Sequence, residues 1–105
     1  TDAIFIVDPD TQKIYDVNKQ AIKFLGYSRE ELLSMSVQGL HPEDQLKDIM
    51  EVFDSFSTGK QTLASEIPMQ HKSGLIMYAD ISRGNMMVDG TTRFVLIELT
   101  FPNLP

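Results

Sequence analysis

Acid–base chemistry has one natural address in this sequence, the run His41-Pro42-Glu43-Asp44. An imidazole titrates near neutrality. Here it stands beside two carboxylates, with Pro42 fixing the backbone between them. A general acid or base works in such company, so His41 with Asp44, or with Glu43, is the candidate. The bland reading competes directly, because acids in a first helical turn suit the helix dipole. Glu30 and Glu31 are adjacent, and Glu31 has a capping role. His71 precedes Lys72 in a turn-like segment facing solvent. No nucleophile motif, phosphate-cradling glycine loop or metal-ligand spacing accompanies any of these. The chain has no cysteine, which removes disulfides, thiolate metal sites and cysteine nucleophiles. The reading is a binding or regulatory domain, not an enzyme; a small enzyme is the distant alternative.

The elements that position these residues follow from turn signals and periodicity. Ala3–Val7 is an apolar, β-branched-rich strand that stops at Asp8-Pro9-Asp10, a turn triplet. Lys13–Val17 alternates and returns as the second strand of a hairpin. From Asn18 the period becomes helical through Ala21, Phe24 and Leu25, with Gly26 as the stop. Ser28-Arg29-Glu30-Glu31 is a capping box that starts a short helix ending near Ser34. Pro42 suits the first position of the longest helix. Its stripe runs Leu46, Ile49, Met50, Phe53 and Phe56 or Ser57, and Thr58-Gly59-Lys60 ends it. Three strands follow: Thr62–Met69, Leu75–Arg83 after the Lys72-Ser73-Gly74 connection, and Thr92–Phe101 after the Asp89-Gly90 turn. The fold class is α+β, in the order β-β-α-α-α-β-β-β.

Composition agrees with one ordinary domain. The chain has 105 residues, 42% apolar and 23% charged, with a net charge of -6. That length buries enough surface to fold unaided. The acidic balance, without a Lys/Arg cluster, argues against nucleic acid and against direct membrane contact. No stretch of 18 or more apolar residues is present to span a bilayer. Residues 1–105 read as a single domain excised from a longer protein, and the lack of cysteine fits a reducing cytoplasm.

Charged positions set the strand faces by parity. Asp80 and Ser82 share a face with Ile76 and Tyr78, opposite Leu75, Met77, Ala79 and Ile81. Glu98 and Thr100 share one with Phe94 and Leu96, opposite Val95, Ile97, Leu99 and Phe101. Glu66 faces with Thr62 and Ala64, which puts Leu63, Ser65 and Ile67 inside. One sheet face is thus apolar and belongs under the helices. On the other, Ile76, Tyr78, Phe94 and Leu96 form a stripe that is either a dimer or helix-docking face or a solvated, partly apolar surface.

These motifs in this order resemble the PAS domain family over essentially the whole chain. Asp8, then Asn18 with Ala21, look like its first signature. Leu25-Gly26-Tyr27-Ser28-Arg29-Glu30-Glu31-Leu32 is similar to its most recognisable run. His41-Pro42-Glu43-Asp44 matches the start of its long helix, and Glu66 with Lys72-Ser73-Gly74 matches the following strand and hairpin. The resemblance implies a five-stranded antiparallel sheet with helices covering one face. It also implies a sensory or regulatory role. Such a module binds a small ligand between the long helix and the sheet, dimerises, or does both. It controls an effector in the same chain, such as a histidine kinase or diguanylate cyclase. The alternative within the family is ligand-free dimerisation and signal relay. The chain departs at its end, where Leu99-Thr100-Phe101-Pro102-Asn103 replaces the Asp-Ile-Thr that often opens a helical linker. Pro102 opposes helix there.

The resemblance also frames the cofactor. Haem-binding members use a histidine on the long helix, and Leu46–Phe56 has none. Photosensory flavin members need a cysteine, and redox flavin members often hold the ring with a tryptophan; both residue types are absent. No particular cofactor is implied. The space under the long helix is expected to be lined by Phe24, Leu32, Ile49, Met50, Phe53, Leu63, Met77 and Ile97. Ser65 is the polar group expected to point at it, toward a ligand or toward a backbone carbonyl. The same side chains could instead fill one another as a closed core.

Overall fold

A computed structural model describes residues 2–102, and for 85–88 only the backbone. The strands are β1 (Ala3–Val7), β2 (Ile14–Val17), β3 (Leu63–Gln70), β4 (Ile76–Asp89) and β5 (Thr92–Thr100). The helices are α1 (Lys19–Leu25), α2 (Arg29–Leu33) and α3 (Leu46–Ser57), with short 3-10 turns at Val37–Leu40 and Glu43–Gln45. The strands form one antiparallel sheet in the order β2-β1-β5-β4-β3, with its helices on one face. This is the expected architecture. No helix among the described residues is long and apolar enough to cross a membrane. Asn103, at the departure read near the C-terminus, lies outside the described residues.

Local chemistry builds the first half. Asp8 Oδ1 accepts from the N–H groups of Asp10 at 2.8 Å and Thr11 at 3.3 Å, closing the turn after β1. Asn18 caps α1: its Oδ1 accepts from Ala21 N at 3.1 Å and from Ile4 N at 2.9 Å, which ties the helix start to β1. Gly26 ends α1 at φ 79°. That φ favours glycine, and a Cβ there would lie 2.5 Å from the His71 ring, which would have to move aside. The capping box closes as expected, with Ser28 Oγ accepting from Glu31 N at 3.1 Å and Glu31 Oε1 accepting from Ser28 N at 2.9 Å. Pro42 does not begin α3. It precedes the 3-10 turn Glu43–Gln45, and the α-helix proper starts at Leu46.

Parity holds on β1, β4 and β5, where Phe5, Val7, Ala79, Ile81, Ile97 and Leu99 point inward and are buried. On β3 it fails part-way. The register jumps between Ala64↔Ile81 and Ile67↔Ala79, a β-bulge, and Glu66 sits at φ 57°. The extra residue reverses the alternation upstream of it. Ala64 therefore packs on the core, Ser65 is exposed, and Leu63 is 70% exposed. Strict alternation, which placed Leu63 and Ser65 inside, is corrected here.

The outer stripe is corrected as well. Pairing puts Ile76 and Tyr78 opposite Gln70 and Pro68 of β3, whereas Leu96 lies opposite Ile6 of β1. Between them run the polar rows Asp80↔Thr100 and Ser82↔Glu98. Ile76 with Tyr78 thus lies apart from Leu96. Phe94 is buried, its ring stacked on Tyr15 at 4.3 Å between centroids.

Candidate ligand-binding cavity

A cavity of about 50 Å³ lies between α3 and the sheet. β1 supplies Phe5 and Val7, β3 Ile67 and Met69, β4 Ile81, and β5 Ile97 and Leu99. α3 closes it with Ile49, Val52, Phe53 and Phe56, and the segment before α3 adds Val37, Leu40 and His41. The void has a structural cause. α1 carries Ala21 at 0% exposure against β1 and lies close to the sheet. α3 presents phenylalanine and isoleucine instead, so it stands off on long side chains and leaves space between them.

Of the nine side chains expected at this space, Ile49, Phe53 and Ile97 line the cavity. Leu32 is fully buried in the core elsewhere. Phe24 packs edgewise on Phe101, with centroids 5.3 Å apart and planes at 60°. Met50 and Met77 pack on the margin of the core. Leu63 and Ser65 point away from it, for the bulge reason given above.

The polar group on the wall is His41, which is not among the side chains the sequence placed at this space. Its Nδ1 lies 2.9 Å from the Pro68 carbonyl oxygen. A carbonyl only accepts, so Nδ1 carries the proton and donates. β3 is an edge strand, and Pro68 has no N–H to offer there. His41 therefore satisfies an edge carbonyl and is at the same time one of the residues lining the cavity. Burial pushes the imidazole below its ordinary range, the Pro68 hydrogen bond opposing this in part. The neutral ring keeps an unprotonated Nε2, with no hydrogen-bond partner among the described residues. The carboxylates proposed to work with His41 do not share its environment: Glu43 and Asp44 are exposed. His71 sits on Gly26, its Nδ1 accepting from Ser73 N at 3.0 Å.

Size limits what this site holds. Pockets for cofactors and drug-sized ligands run to roughly 300–1,000 Å³. A cavity of about 50 Å³ does not fit a haem or a flavin. Among the described residues no group of three or more His, Cys, Asp or Glu is placed to hold a metal ion.

Comparison with known proteins adds the following. The model of the PAS domain family matches residues 1–101. Among solved structures, a PAS domain from Desulfitobacterium hafniense superposes with a TM-score of 0.83 at 18% identity, covering 95% of this chain and 92% of that one. A PAS domain from a two-component sensor histidine kinase gives 0.72 at 24% identity, covering 94% and 83%. A domain of a sensory box sensor histidine kinase/response regulator from Geobacter sulfurreducens gives 0.70 at 18% identity, covering 92% and 81%. No curated protein matches by sequence.

Proposed function

The chain belongs to the PAS domain family, and on that premise we propose that it is a sensory module. In this proposal the cavity under α3 takes up a small ligand, and α3 passes the change to an effector in the same chain. The carrying observation is the cavity itself, walled by apolar side chains with one polar group, His41. Such a lining favours uptake of an apolar molecule, with the polar group fixing its orientation. Similar structures taken from sensor histidine kinases support a kinase as the effector. In this reading the module works in the cytoplasm, and binding rather than catalysis is its task.

Ligand-free dimerisation and relay is the second reading, favoured by the apolar patch of Ile4, Ile6 and Leu96 on the outer sheet face. Native mass spectrometry of the gently purified chain separates the two. A retained small-molecule mass is the expected result. A bare dimer, with no mass gained from any small-molecule mixture, would replace the first reading with the second.

A further inference from the structure

The cavity's dimensions and its polar group together narrow what it accepts, given the ligand-binding reading above. One water-sized group needs about 10–15 Å³ of such space, so the present cavity, at about 50 Å³, seats about three to five non-hydrogen atoms. A charged guest would lose its hydration against Phe53, Ile97 and Leu99 without a counter-ion among the lining residues, a prohibitive cost. The wall's hydrogen-bonding capacity is one-sided. Nδ1 of His41 is committed to Pro68, so what the ring offers is the Nε2 lone pair, an acceptor.

From this we infer that the site selects a compact, uncharged, mostly apolar molecule of about three to five non-hydrogen atoms with one N–H or O–H donor, received by Nε2 of His41. A guest of the same shape with only an acceptor sets lone pair against lone pair and leaves Nε2 unpaired. The difference is one hydrogen bond, about three- to tenfold in affinity. The burial that disfavours the imidazolium keeps Nε2 an acceptor at neutral pH.

Three probes test this by methyl NMR of Ile49, Ile81 and Ile97 on the chain: xenon, pyrrole and furan. Pyrrole and furan share a five-membered ring, but pyrrole donates and furan only accepts. Xenon should shift the cavity methyls, and pyrrole should bind about three- to tenfold tighter than furan. In His41→Asn the amide can still donate to the Pro68 carbonyl but nothing reaches the place of Nε2, and the preference should disappear. Equal binding of the two rings by the wild-type chain would overturn the inference, as would a preference that survives in folded His41→Asn. Either result leaves the cavity standing if xenon still moves the methyls. Methyl groups silent to all three probes would remove the ligand-binding reading and this inference with it. The wild-type ratio alone decides the matter if the variant does not fold.

Discussion

The two ends of the helical layer face the same sheet and are built to different ends. At the α1–α2 end the packing is closed: Ala21, Leu25 and Leu32 are 0% exposed. Polar ties run across the outside. Arg29 pairs with Asp16 at 2.7 Å, tying α2 to β2, while Lys72 pairs with Glu31 at 2.8 Å and Lys72 N donates to Leu25 O at 2.9 Å, joining the helices to the β3–β4 hairpin. At the α3 end, large side chains hold the helix off the sheet, space remains, and His41 is its polar feature. Close packing in one region and vacant volume in the other is the contrast on which the proposed ligand-binding role rests. In the sensory reading proposed above, the closed end serves as the frame against which a small guest under α3 would move that helix.

Truncation breaks or sharpens this contrast most strongly. Leu25→Ala should cost about 3–5 kcal/mol by urea unfolding, because it opens a hole in packed core. Ile49→Ala should cost less, about 2 kcal/mol, since that side chain already borders a void and loses fewer contacts. Equal costs would mean that the two ends are packed alike.

Loss of a helix cap comes next. Ser28→Ala should destabilise by about 1 kcal/mol, and an unmoved midpoint would show that the capping box contributes nothing to the closed end. Filling the void acts with opposite sign. Val7→Ile, which adds a methylene toward the cavity, should raise stability by about 0.5–1 kcal/mol and weaken xenon and pyrrole binding. Destabilisation together with intact binding would place the void elsewhere.

The smallest effects are electrostatic. In the unfolded chain His41 titrates at its ordinary 6.5, and in the folded chain lower, because burial disfavours the imidazolium. Between those values the unfolded state binds a proton that the folded state refuses. Stability is therefore full above 6.5 and declines as pH falls toward the folded value. A urea midpoint that falls no further for wild type than for His41→Asn between about pH 7.5 and about pH 5.5 would count against the burial. Asp16 behaves likewise in a lower window. The hydrogen bond from Arg29 holds its carboxyl below 3.8, and the stability this gives is lost as pH drops below that value. The pair is half exposed, so Asp16→Asn should cost less than about 0.5 kcal/mol at neutral pH.

Much of the fold was legible because its signals are local. Gly26 at the end of α1, the Ser28 capping box and the Asp8 turn each depend on residues within four positions of one another. So does the alternation that buries Ala79, Ile81, Ile97 and Leu99. The cavity was less legible. Ile49, Phe53 and Ile97 were within reach of periodicity, but Leu63 and Ser65 were misplaced because the bulge at Glu66 has no glycine to announce it. The outer stripe failed for a related reason: parity tells which face a residue occupies, not how far along the sheet its neighbours lie.

What the sequence determined by itself was the order of elements, their caps and turns, and which faces are apolar, since each follows from spacing along the chain. Only the tertiary structure decided that α1 lies close on Ala21 while α3 stands off. It alone set Pro68 on an edge strand and brought His41, 27 residues earlier, to donate to its carbonyl at the wall of a cavity. A void is the difference between side-chain volume and the distance separating two elements. That distance is set by the whole assembly, not by any one segment.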